Sequence, residues 1–499
     1  MGANEANGRI APLEMAPEEF RSLGHRLVDQ IALFLADLQK RPVTPGETPA
    51  QVRAVLGNDP LPERGTAPET VLEEAWRLLV DHSLFNGHPR FAGYVTSSAA
   101  PSGALAELLA AAVNPNCGAW TLSPMASEME AQAVRWIAEF IGYPATCGGL
   151  LVSGGNMANF VGFLAARRAK APWDIRSEGA GAGSGKRLLA YASKETHTWI
   201  QKAADLFGLG TNSIRWISAG SDCRVDTSEL RARIEADQAD GGQPFLVVGS
   251  AGTVSTGAVD PLPELAELAR EYGLWFHVDG AYGAPAAALP DAGDDLKGLV
   301  EADSIALDPH KWLYAPLEAG CTLVRDPQHL LDAFDYSPVY YRFDADAEER
   351  PINFYEYGPQ NSRGFRALKV WAGLRVAGRE GLCRMIADDI YLAKSLYQEV
   401  QAHAELEALS QGLSITTFRY VPADLDRHDP AAAAYLNQLN EELVHRIQKS
   451  GEAFLSNAVV QGKFALRLCI VNFRTTQSDI RALPEIVIRL GRETDAELR

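Results

Sequence analysis

Lys311 stands in SIALDPHKWLYAPL (304–317), between the apolar run Ile305-Ala306-Leu307 and the trio Trp312-Leu313-Tyr314. A lysine is almost never fully buried without a partner, and an apolar surrounding lowers its pKa and frees the amine as a nucleophile. The plainer reading is a surface lysine that follows a buried strand. Asp279 ends the run LWFHVDGAYG, where a carboxylate closing a buried strand either meets a cation or caps the next turn. In VSGGNMANF (152–160), Gly154, Gly155 and Asn156 open a helix, which aims backbone N–H groups and the helix dipole at a phosphate or else forms an ordinary glycine turn. His197, in KETHTWIQKA (194–203), lies at a loop-to-helix junction, as a structural histidine or a catalytic one.

Taken together, these residues match the needs of pyridoxal 5′-phosphate. That coenzyme requires a lysine to condense with its aldehyde, a carboxylate to keep its pyridine nitrogen protonated, a cup for its phosphate and a flat group on its ring face. Lys311, Asp279, the Gly154–Asn156 turn and His197 fill these places in that order. The stretch SEGAGAGSGKR (177–187) has the look of a phosphate loop, but Ala180 stands where glycine is required and Arg187 follows the lysine, so it reads as a surface loop.

The elements that must position this chemistry are legible as patterns. The runs GGLLVSGG, RLLAYAS, PFLVVGSAG, LWFHVDGAYG and DSIALDPH suit strands covered on both faces. Helical segments between them, such as 261–272, predict βαβ units and a mainly parallel sheet, with ligands gathered at the carboxyl ends of the strands. Ahead of this region, Leu23, Leu27, Val28, Ile31, Phe34, Leu35 and Leu38 line one face of a helix over 16–38. A Pro/Gly-rich stretch (42–67) and a second helix (69–82) follow. Two such helices cannot bury their own faces and must lie on another domain or subunit. Beyond 365 a long helical segment leads to a C-terminal α+β portion with strands in LSITTFRYV and FALRLCIVNF. The expected division is an N-terminal helical segment (1–97), a large coenzyme-binding domain (98–372) and a small α+β domain (373–499).

The chain has 499 residues, 46% hydrophobic and 22% charged, with a net charge of −18. That charge argues against nucleic acid or an anionic membrane as the main partner. The six cysteines show no CxxC and no histidine spacing for zinc, and they read as the reduced thiols of a cytoplasmic protein. No signal peptide is apparent and no apolar run reaches the roughly 20 residues that span a bilayer.

The segments EEFRSLGHRLVDQIALFL, HPRFAGYV, HTWIQKA, HVDGAYG, DPHKWL and FRALKVW together resemble the group II pyridoxal-phosphate-dependent amino acid decarboxylases, in particular their aromatic L-amino acid branch, over about residues 15–490. The resemblance implies the aspartate-aminotransferase-like fold (fold type I) and a homodimer whose N-terminal helices cross onto the partner. It makes Lys311 the coenzyme-bearing lysine, Asp279 the partner of the pyridinium and His197 the ring-stacking residue. Thr253 lies near the coenzyme oxygen, Ala281 on the opposite ring face, Gly155, Asn156 and Asp308 near the phosphate, and His310 beside the lysine. Asp308 departs from the asparagine often found there, and a second negative group beside a phosphate is unwelcome.

By the same resemblance the proton returned to Cα after loss of CO2 comes from a tyrosine in DYSPVYYRF, best matched by Tyr340 and less well by Tyr341. Retention of Tyr340 and His197 implies plain decarboxylation, since related aldehyde synthases tend to replace one or the other. Tyr94 and Ser97 are candidate pocket lining, and Asn116 and Gly118 would reach in from the partner subunit. Ser362 matches a serine found in plant members that prefer phenols, and a buried hydroxyl that bonds a phenol discriminates strongly. The expected substrate is tyrosine, DOPA or phenylalanine ahead of tryptophan. Glutamate or 2,4-diaminobutyrate, an aldehyde synthase, and a non-catalytic binding protein of the same fold stand as alternatives.

Overall fold

The structure, a computed structural model, describes residues 11–183, 185–336, 351–427 and 429–499. Tyr340 and Tyr341 lie outside the described residues. The main sheet has seven strands: β1 (Gly148–Val152), β2 (Leu188–Ser193), β3 (Ile214–Ile217), β4 (Gln243–Ser250), β5 (Trp275–Asp279), β6 (Ser304–Leu307) and β7 (Gly320–Val324). Their order is β1-β7-β6-β5-β4-β2-β3. β7 runs antiparallel to both of its neighbours, and the other pairs are parallel.

Alternation along the strands divides the core between the two faces of this sheet. Leu246, Val248, Trp275 and Ala306 pack with the helices Gly155–Lys170 and Trp199–Leu206 on one side. Val247, Phe276, Val278 and Ile305 pack with Pro124–Phe140 and Leu262–Tyr272 on the other. A parallel strand buried on both faces reads as an unbroken apolar run, which explains why β1, β2, β4, β5 and β6 match the expected segments. The antiparallel β7 and the short, half-buried β3 were not expected. Arg363 ties the chain after residue 351 to this core. Its guanidinium donates to both oxygens of the buried Glu130 (2.5 and 3.1 Å) and to the carbonyl of Leu151 (2.7 Å).

A second, antiparallel sheet follows, in the order β10-β11-β9-β8, from β8 (Leu406–Gly412), β9 (Ile415–Tyr420), β10 (Ser456–Val460) and β11 (Lys463–Cys469). Helices Ala433–Ser450 and Gln477–Leu498 cover it. The long segment expected after 365 is helical over Ala367–Ala402 but breaks at Gly378, whose φ of 62° lies in the left-handed region. The Pro/Gly-rich stretch is not wholly irregular either. It holds a short helix, Pro49–Leu56, opened by a reciprocal capping box between Thr48 and Gln51.

Candidate active site

β5 and β6 are parallel neighbours, so the chain leaves both at the same edge of the sheet. That edge carries Asp279 at the end of β5, and Lys311 in the turn that follows β6. A cavity of about 620 Å³ opens there. Among the residues expected at the site, Tyr94, Gly155, Asn156, His197, Thr253, Asp279, Ala281, Asp308, His310 and Lys311 line it.

Asp279 is oriented by two donors. The Trp199 indole N–H reaches Oδ2 (2.8 Å) and the Ala281 amide reaches Oδ1 (3.2 Å). The Trp199 amide donates to Nδ1 of His197 (3.3 Å), which sets the ring just ahead of the helix that begins at Trp199. Burial, with the positive charge of Lys311, pushes the His197 pKa down against the pull of Asp279, so the imidazole is neutral near pH 7. Lys311 is half-buried rather than a surface lysine, and its Nζ lies 2.9 Å from Asp308 Oδ2. The other carboxylate oxygen of Asp308 is buried and has no hydrogen-bond partner among the described residues. His310 directs Nδ1 to the Ala319 carbonyl (2.7 Å), and burial lowers its pKa. Thr253 is buried, with its hydroxyl 3.0 Å from that of Thr256.

The glycines at 154 and 155 form a close-fitting turn. A Cβ on Gly155 would stand 2.6 Å from Asp308 Oδ2, and Gly154 has φ of 131°. With these residues the helix Gly155–Lys170 points its free N–H groups at the cavity edge. A lysine amine, a fixed carboxylate, a neutral imidazole and an anion cup around one cavity fit pyridoxal 5′-phosphate. Asp308 faces that cup as a carboxylate, and the Lys311 ammonium partly offsets its charge.

Other expected residues have different surroundings. Ser97 is buried and donates its hydroxyl to the His310 carbonyl (2.7 Å), so it braces the lysine turn instead of lining the cavity. Asn116 Oδ1 accepts from the amides of Gly118 and Arg363 (3.1 Å each). A Cβ on Gly118 would stand 2.0 Å from the Asn361 carbonyl oxygen. Ser362 is exposed. Asn116, Gly118 and Ser362 lie outside this chain's own cavity lining.

Arg467 and Glu195 are charged lining residues with no expected role. Arg467, on β11, is only 3% exposed and has no acidic partner among the described residues. Its guanidinium donates to Ser456 Oγ (3.0 Å) and the Val254 carbonyl (2.5 Å). Its signal in the sequence was a charge inside the apolar run FALRLCIVNF. Glu195 is half-buried, and burial pushes its carboxyl pKa upward.

The pyridoxal-dependent decarboxylase conserved domain matches residues 49–421. An aromatic-L-amino-acid decarboxylase of Bacillus atrophaeus is 34% identical over 469 residues, covering 94% of each chain. A tyrosine decarboxylase 2 of Arabidopsis thaliana is 30% identical, covering 91% of this chain and 84% of that one. The crystal structure of Oryza sativa TDC with PLP and tryptamine superposes with a TM-score of 0.89 at 28% identity, covering 97% and 99% of the two chains. The lysine, carboxylate and glycine cup at one sheet edge thus come with agreement over nearly the whole chain, and the protein belongs to the pyridoxal-dependent decarboxylase family.

Proposed function

We propose that this chain decarboxylates an aromatic L-amino acid to its amine and CO2, as a cytoplasmic homodimer. The observation that carries the reading is the convergence of Lys311, Asp279, His197 and the Gly154–Gly155 turn on one cavity. Bound there, pyridoxal phosphate supplies a sink for the electrons of the breaking Cα–carboxylate bond. Lys311 is the residue that would hold the coenzyme through its amine. Asp279, its orientation set by Trp199 and Ala281, keeps a cationic ring nitrogen charged. His197 and Ala281, both at the cavity, are the residues that would cover the two faces of the ring. Gly155 and Asn156 offer amides to the phosphate, and the Arg467 guanidinium is the cation available to the substrate carboxylate. Tyr340 returns the proton to Cα.

The aromatic preference rests on the relatives together with the charges at the cavity. Glu195 lines it and would repel an acidic side chain such as that of glutamate. Glu195 also favours a second reading, a substrate with a cationic side chain such as 2,4-diaminobutyrate. The homodimer is supported by apolar residues left in solvent: Leu33, Leu79, Val113 and Met125 are 66–72% exposed. The stretch that carries Asn116 and Gly118 would then reach into the partner's cavity. The cytoplasm is supported by six unpaired cysteines. A panel of the twenty amino acids with DOPA and diaminobutyrate, scoring CO2, amine and peroxide separately, tests the reading. Aromatic substrates should release equal CO2 and amine without peroxide. CO2 from glutamate or diaminobutyrate alone would overturn it.

A further inference from the structure

His277 lies two residues before Asp279 on the same face of β5, fully buried, and the reaction makes no use of it. Its surroundings fix both of its nitrogens. Asn159 Nδ2 lies 2.8 Å from the carbonyl of Gly155, which only accepts, so the amide can be placed in one way. Asn159 Oδ1 therefore faces His277 Nε2 (2.7 Å), and that nitrogen must carry hydrogen. On the other side Ser304, directly opposite in the β5–β6 register, has its hydroxyl 2.7 Å from Nδ1. In a neutral imidazole with its hydrogen on Nε2, Nδ1 accepts, so Ser304 takes the Trp275 indole N–H on its oxygen (2.8 Å) and gives its own hydrogen to Nδ1. The donors run in one direction, from Trp275 through Ser304, His277 and Asn159 to the Gly155 carbonyl.

Two contacts join this relay to the coenzyme site. Gly155 is the first residue of the helix at the glycine cup. The Trp199 ring stands edge-on to His277, with centroids 5.5 Å apart, and the same indole holds Asp279. Helix and imidazole touch closely, since a Cβ on Gly162 would stand 2.7 Å from His277 Cε1. We propose that His277 is a positioning residue, a neutral imidazole locked as the Nε2–H tautomer, which sets the glycine cup and the Asp279–Trp199 pair in register for the coenzyme. The proposal rests on the pyridoxal-phosphate reading for its ligand, while the tautomer belongs to the chain alone.

The test has two arms. Nitrogen NMR of the protein labelled at histidine, without added coenzyme, should show His277 with hydrogen on Nε2 and unchanged between pH 6 and 8. Hydrogen on Nδ1, or titration within that range, overturns the relay whether or not the protein binds pyridoxal phosphate. In the second arm, equilibrium binding of pyridoxal phosphate is measured for the wild type, His277→Leu, His277→Gln and Ser304→Ala. Leucine leaves Asn159 and Ser304 unmatched, and the dissociation constant should rise about tenfold, with a shifted visible band. Glutamine, with one donor and one acceptor, should restore most of the affinity. If His277→Leu does not fold, Ser304→Ala should still weaken binding several-fold. Unchanged affinity and spectrum in every folded variant defeat the proposal, whereas a wild type that binds no coenzyme defeats the functional reading alone.

Discussion

His277 and His197 both serve the edge of β5, yet their surroundings are opposite. His277 is fully buried, bonds through both nitrogens, and is pushed down to a pKa of about 4 by desolvation. His197 faces the cavity and uses one nitrogen on the Trp199 amide. The carboxylates divide in a similar way. Asp279 is held from two sides, while Asp308 keeps one buried oxygen without a partner among the described residues. His277, Ser304 and Trp275 form a settled layer behind the cavity, whereas the lining holds Asp279, fixed by two donors, together with His197 and Asp308, which keep spare valences. The rear layer can be rigid because its bonds are complete, and the front layer leaves donors and acceptors for a ligand.

The sharpest way to break this contrast is to remove the front layer's nucleophile. Lys311→Ala should lower CO2 release by roughly a thousandfold or more, since among the described residues no other lysine lines the cavity. Thermal stability of the unliganded protein should fall modestly, because the buried Asp308 loses the ammonium that offsets its charge, and adding Asp308→Asn should recover the loss. A Lys311→Ala protein that still releases CO2 at a comparable rate would mean that Lys311 is not the nucleophile and the division into layers is wrong.

A milder test concerns the rear layer and pH. The His277 pKa falls from an ordinary 6.5 to about 4 on folding. Between these values the unfolded chain binds a proton that the folded chain refuses, so stability drops as pH falls through this window. The full loss is about 3 kcal/mol and is complete only below pH 4. Asp389, raised to about 7 by burial, tilts stability the other way, its contribution shrinking as pH rises from about 4 to 7. Comparing His277→Gln with wild type by denaturant unfolding at pH 7, 6, 5 and 4 cancels that term, because both proteins carry Asp389. The wild type should lose ground to the variant steadily below pH 6.5, and parallel curves would show that His277 is already charged in the fold.

Much of this arrangement is visible in the sequence, and the part that is not has a physical cause. Lys311, Asp279 and His197 stand out because a charged or titratable side chain next to a doubly covered strand demands a reason. β4 and β5 are clear because both faces are buried. Strand direction leaves no trace in composition, so the antiparallel β7 is hidden, and so is the break at Gly378 within an otherwise helical pattern. Trp199 and Arg467 reach the site through contacts between residues 80 and 213 positions apart, to Asp279 and Val254 respectively. Local patterning carries no signal for such contacts. His277 sits inside the motif that reveals Asp279, but its role depends on Asn159 and Ser304, which lie on other elements.

The smallest expected effect sharpens the front layer itself. Glu195 lines the cavity half-buried, its carboxyl pKa raised by burial, with no side-chain partner among the described residues. If the substrate side chain is aromatic, this carboxylate gains nothing from it and costs some desolvation. Glu195→Gln should then leave kcat/KM for tyrosine, DOPA and phenylalanine within about threefold of wild type, and any release from 2,4-diaminobutyrate should fall about tenfold as the attraction to its ammonium is lost. Steady-state kinetics on both substrate classes decide it. A loss beyond tenfold on the aromatic substrates would mean that Glu195 holds the reacting substrate, and that the front layer was already committed to a ligand donor at this position.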